Sequence, residues 1–125
     1  MTTSNKPKRK KTNRKSLKAR CDKLWSVLVV RRDGGICQQC GEPGEDPHHY
    51  ILRANIGTRF ELGNGVTLCT KCHNWTHDHP EDFHRWFSKR IGYIAWHDLQ
   101  DKRRLLKVDL EEIHRGLKEM KRETQ

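Results

Sequence analysis

Four of the five cysteines in this 125-residue chain form two C-x-x-C pairs, Cys37 with Cys40 and Cys69 with Cys72. A two-residue gap lets two thiolates from one tight turn reach the same ion, and two such turns complete a tetrahedral all-sulfur zinc site. With four thiolates the site is closed, so its expected role is structural. A disulfide framework is the alternative, but the opening "MTTSNKPKRKK" has no apolar signal segment, which points to a reducing compartment and a cytoplasmic location, the host cytoplasm for a phage protein.

Histidines surround these pairs. His48 and His49 are adjacent in "EDPHHYILR", and His73 and His77 follow the second cysteine pair. Positions 73 and 77 share one helix face, whereas neighbours on a strand point to opposite sides. Two histidines at helical spacing can hold a second metal, with one of the 48/49 pair as a third ligand from a facing strand. In another arrangement His73 and His77 join Cys69 and Cys72 around zinc, leaving Cys37 and Cys40 idle. Imidazole donors suit Mn²⁺, Ni²⁺, Co²⁺ or Zn²⁺, while Mg²⁺ prefers carboxylates, for which Asp46 and Asp78 are candidates. His79, His84, His97 and His114 stand in no such constellation and read as surface residues.

The elements that must carry these residues follow from the local pattern. Residues 1–15, "MTTSNKPKRKKTNRK", are basic and almost without apolar side chains, and read as a disordered tail that clings to phosphates. From Ser16, a helix cap, residues Cys21, Leu24, Trp25, Leu28 and Val29 recur at helical steps up to Gly34 and Gly35. Cys21 is thereby a core residue. The first knuckle comes next, then "HHYIL" as a short strand, a long loop "RANIGTRFELGNG" closed by a hairpin signal, a second strand "VTL", and the second knuckle running into a helix. Pro80 opens a further helix bearing Phe83, Trp86 and Phe87, and "YIAWHDLQDKRRLL" also leans to helix. Asp109 with Glu112 forms a capping-box pattern, Val108 and Ile113 a staple, and Ile113, Leu117 and Met120 an apolar stripe. That last helix is expected to pack on the zinc domain or on a second copy. No internal repeat is visible. The fold class is therefore α+β, a zinc-stabilised core of strand, strand and helix with flanking N- and C-terminal helices.

In order and ligand type, Cys37-x-x-Cys40, His48-His49, Asn64, Cys69-x-x-Cys72-His73 and His77 resemble the HNH endonucleases, the ββα-metal or His-Me finger nucleases, in the subgroup with a four-cysteine zinc knuckle. The resemblance spans residues 31–78, and implies a single nuclease domain over 16–125 with a helical extension at 80–125. It implies His49 as the general base that activates water, and His48 and His73 as ligands of a catalytic divalent metal. His77 matches an extra helical ligand of the colicin branch. Asn64 matches the residue that ties down the loop between the strands and helps orient the base. Such an enzyme hydrolyses DNA phosphodiesters by nicking or structure-dependent cleavage, leaving a 5′-phosphate and a 3′-hydroxyl. A metal to neutralise charge on the phosphoryl oxygens, and a base titrating near neutrality, are what that reaction needs. The flanking segments are also similar to lambdoid phage recombination endonucleases that act on branched DNA.

The formal net charge of +10, from 26 Lys and Arg against 16 Asp and Glu, independently points to a polyanionic partner, with duplex, nicked or branched DNA foremost. Arg53, Arg59 and Lys71 lie near the expected site and could grip phosphates, or simply form a solvated basic face. Trp75, Trp86 and Trp96 read chiefly as core, with stacking on an unpaired base as the alternative. No apolar run reaches the length of a membrane span. Homodimerisation and phage packaging or recombination proteins are further expected partners. The rival to the enzyme is a non-catalytic zinc-knuckle DNA-binding module of a phage or mobile element. A colicin-type toxin nuclease is a third reading, and would ordinarily carry a secretion or receptor-binding region.

Overall fold

The computed structural model describes residues 11–124. The chain runs α1 (Lys11–Arg32), β1 (Asp46–His49), α2 (Ile56–Arg59), a 3₁₀ turn (Leu62–Asn64), β2 (Gly65–Leu68), α3 (Thr70–Asp78), α4 (Pro80–Arg103) and α5 (Leu110–Glu123). Residues 1–10 of the expected basic tail lie outside the described residues. Its remainder is helical: α1 begins ahead of Ser16, whose hydroxyl accepts from Arg20 Nη2 at 3.4 Å. Lysine and arginine are good helix formers, so the helix extends past the residue expected to cap it. Its other end matches expectation. Gly34, at φ 67°, donates its N–H to the Arg31 carbonyl and Gly35 donates to that of Val30, both at 3.1 Å, a closing motif that the left-handed backbone of glycine permits.

β1 and β2 form a two-stranded antiparallel sheet in which His48 faces Val66 and His49 faces Gly65. The strand expected over "HHYIL" lies earlier, at Asp46–His49, because Asn64 takes over the pairing beyond it. The Tyr50 N–H donates to the Asn64 carbonyl at 2.9 Å, and the Ile51 N–H then donates to Asn64 Oδ1 at 2.7 Å. The side chain thus ends the ladder. "GNG" closes no tight hairpin; the connection is long and contains α2 and the 3₁₀ turn.

Two apolar clusters organise the rest. One joins the sheet, the second knuckle and α4 through Cys37, Ile51, Val66, Leu68, Cys72, Phe83, Phe87 and Leu99. The other joins α1 to α5 through Cys21, Trp25, Leu28, Val29, Leu110 and Leu117, with Phe60 between them. The last helix therefore packs on α1. Its cap is formed as expected, with Asp109 accepting from the Glu112 N–H at 3.1 Å, and Val108 and Ile113 lie against the same cluster. "YIAWHDLQDKRR" is helical as part of α4, which bends at Gly92, where φ is 87°. Among the described residues no helix is long and apolar enough to cross a membrane. The result is a small α+β fold with a two-stranded sheet, several helices and a four-cysteine cluster.

Candidate metal centre and histidine cluster

The first knuckle is a tight loop held to the sheet. The Cys37 N–H donates to the Glu42 carbonyl at 2.7 Å, the Gly41 N–H to the Cys37 carbonyl at 2.8 Å, and the Gln38 N–H to the Thr67 carbonyl at 3.0 Å. The second knuckle is the start of α3, where the Cys69 sulfur caps the helix by accepting from the Cys72 N–H at 3.4 Å. Together they bring the sulfurs of Cys37, Cys40, Cys69 and Cys72 within 4.8 Å of one another.

This set fits zinc. Sulfurs about 2.3 Å from a tetrahedral zinc lie about 3.8 Å apart, and Cys40 Sγ is 3.7 Å from Cys69 Sγ. Burial pushes the Cys37 thiol up, but N–H groups of Cys40, Cys69 and Gln39 outweigh it and bring it down to about 6. Burial and the other three sulfurs raise Cys72. The Cys37 sulfur is thus readily a thiolate, while Cys72 needs a cation beside it to ionise as well. The ion these residues would hold supplies a cross-link between the knuckles, and the complete sulfur set leaves no ligand position to a histidine. The arrangement in which Cys37 and Cys40 stand idle is excluded.

The histidines are arranged differently. His48 and His49 point to opposite sides, as adjacent strand residues must. His49 stacks on Trp25, ring centroids 3.9 Å apart and planes within 8°, and its Nε2 donates to the Arg59 carbonyl at 3.0 Å. Burial lowers its pKa. His48 lies on the other side, its ring centroid 4.9 Å from that of His73 and 5.3 Å from that of Phe83. The Thr76 hydroxyl donates to the His73 carbonyl at 2.7 Å, so it accepts from His48 Nε2, 3.4 Å away. His73 Nδ1 bonds Asp46 Oδ2, which fixes its N–H there, and His73 Nε2 then accepts from His77 Nε2 at 3.0 Å.

The expectation of a histidine-based nuclease centre is overturned by this geometry. Among the described residues, the cysteines are the one group of three or more metal-ligating side chains whose donor atoms converge. His48, His73 and His77 are neighbours, but His48 Nε2 is bonded to Thr76, and both nitrogens of His73 are taken, by Asp46 and by His77 Nε2. Among the described residues no second metal-ligand cluster lies beside His49, the expected base, whose ring is packed on Trp25 of α1. The assignment to the HNH or His-Me finger nucleases is withdrawn, and with it the hydrolase and recombination-endonuclease readings and the catalytic divalent metal.

The remaining expected site residues divide. Asn64 is fully buried, and besides accepting from Ile51 it donates through Nδ2 to the Ile51 and Thr58 carbonyls at 2.9 and 3.2 Å, so it ties the inter-strand loop to β2. Arg59 is held in the fold by two bonds to Asp22, at 2.9 and 2.7 Å. Arg53 is exposed and reaches the same carboxylate at 3.3 Å, while Lys71 is exposed on the first turn of α3. The sequence reading missed Asp33: its buried carboxylate accepts from the Thr67 N–H at 2.9 Å and pairs with Arg32, joining the end of α1 to β2. A lone acid after a basic pair gives no hint of that contact.

No family model, curated protein or solved structure matches the chain.

Proposed function

We propose that the protein is a zinc-stabilised nucleic-acid-binding module without catalytic chemistry of its own, with DNA as partner. The observation that carries this reading is the closed four-cysteine cluster, which pins the first knuckle and α3 to the sheet of a chain with a net charge of +10. Zinc at a closed site holds the scaffold, and the basic surface supplies affinity through phosphates. Lys71, exposed within the second knuckle, and Arg53, paired only at 3.3 Å and in solvent beyond the other end of β1, are its phosphate contacts. Arg59 serves the scaffold.

The test is fluorescence anisotropy on a labelled blunt duplex, with the zinc-loaded protein and with protein stripped by a chelator. Expected are one tightly held zinc per chain, binding that weakens steeply with salt, and loss of both fold and binding on stripping. Supercoiled plasmid incubated with the protein and Mg²⁺ or Mn²⁺ should stay supercoiled. Conversion to open circles that disappears in His49→Ala would overturn the non-catalytic reading, and absence of duplex binding at low salt would overturn the nucleic-acid reading.

A further inference from the structure

A cavity of about 420 Å³ opens between the end of β1 and helix α4, with Tyr50, Phe83, His84, Trp96, Gln100 and Arg103 among its walls. Its aromatic walls are fixed in place. Trp96 Nε1 donates to Tyr50 Oη at 3.0 Å, which leaves the Tyr50 hydroxyl to donate to His84 Nδ1 at 2.5 Å. The Tyr50 ring is itself stacked on Phe87, with centroids 4.5 Å apart. Two polar side chains of this cavity are left with unfilled bonding capacity: among the described residues neither the Gln100 nor the Arg103 side chain makes a hydrogen bond or salt bridge, and the Arg103 charge acts only at a distance on the Tyr50 hydroxyl. They stand three residues apart on α4, hence on one face.

From this we infer that the cavity seats one unpaired nucleotide of a nucleic-acid strand, its base among the aromatic walls, its edge on the Gln100 amide and its phosphate on Arg103. An amide offers a donor and an acceptor side by side, which matches the edge of a base, and a guanidinium matches a phosphate. Ordered aromatic rings lose little freedom when a base packs on them. A base inside a duplex is stacked on both faces and paired along its edge, so only a single strand, an end or a distorted site can fill the cavity. Its size is in the range of small-ligand pockets. The inference rests on the nucleic-acid reading above and adds to it a preference for unpaired nucleotides.

The test uses the full zinc-loaded chain and two fluorescein-labelled probes, a single-stranded thymidine oligonucleotide and a blunt duplex of the same length. Gln100→Ala with Arg103→Ala should weaken single-strand binding about tenfold while duplex binding changes less than twofold. A melting temperature equal to wild type shows that the fold is intact, as expected for changes at two unpartnered side chains. Equal losses on both probes, or no loss on either, overturn the cavity assignment. So does a wild-type protein that binds duplex but not single strand, while the module reading survives. A wild-type protein that binds neither probe overturns the module reading, and the cavity assignment with it.

Discussion

Asn64, fully buried, and His48, half-buried, are polar residues whose surroundings, more than their types, decide what they do. Asn64 spends its whole amide on backbone groups of Ile51 and Thr58. Asn64→Ala removes these bonds and leaves the N–H and carbonyl of Ile51 unpartnered, while the Thr58 carbonyl keeps the Glu61 N–H, for a loss of about 3 kcal/mol in urea unfolding. A loss under 1 kcal/mol would mean that water replaces the amide. His48 is governed by burial first and by the nearby His73 second, which together bring its pKa down from 6.5 to about 4. Between those values the unfolded chain binds the proton and the folded chain resists it. The contribution of this histidine to stability is therefore complete above pH 6.5 and is lost as pH falls toward 4. His49, also lowered by burial, acts in the same sense. NMR should show His48 neutral at pH 5.5, and the urea midpoint of His48→Gln should change less between pH 7 and 5 than that of wild type. An imidazole of residue 48 titrating near 6.5 would remove this account.

At the scale of elements, the fold is two apolar clusters joined through β2. Leu117 is buried between α5 and α1, remote in sequence from the knuckles. Leu117→Ala is expected to cost about 2–4 kcal/mol while the chain still holds its zinc, read by urea unfolding beside metal analysis. Loss of zinc in that variant would show the two clusters to be one cooperative unit with the metal. This division also explains what the sequence disclosed. Features set by neighbours in the chain were legible: the C-x-x-C turns, the stripe from Cys21 to Val29, the Gly34 and Gly35 stop, Pro80 and the Asp109 cap all depend on residues a few positions away. Features set by distant partners were not. The end of β1 depends on a side-chain amide from residue 64, and the hydrogen bonds of the His48 and His73 rings depend on Thr76 and Asp46. Order and spacing place His48, His73 and His77 together, as the structure does, but they do not say that His73 and His77 bond each other or that His49 lies against Trp25. That gap separates the expected catalytic centre from the one found to be absent among the described residues.

At the scale of the whole molecule the excess charge is the property with the longest reach. A chain of 125 residues with a net charge of +10 attracts phosphates before any specific contact forms, and each neutralised phosphate releases condensed counterions. The affinity for duplex DNA should therefore fall linearly with salt on a double-logarithmic plot, with a slope of about 0.9 per phosphate engaged. Lys6, Lys8, Arg9 and Lys10 stand close together at the start of the sequence. Replacing all four with alanine should make the slope shallower by up to about 3.6 if each meets a phosphate. Zinc content and thermal melting should be unchanged, because no part of the four-cysteine site or of either apolar cluster is altered. A slope equal to wild type would place the phosphate contacts at other residues, such as Lys71. Lys71→Ala should shift the slope by about 0.9 whether or not the basic segment is engaged, because each phosphate contact adds its own share, and an unchanged slope in that variant would remove Lys71 from the phosphate contacts.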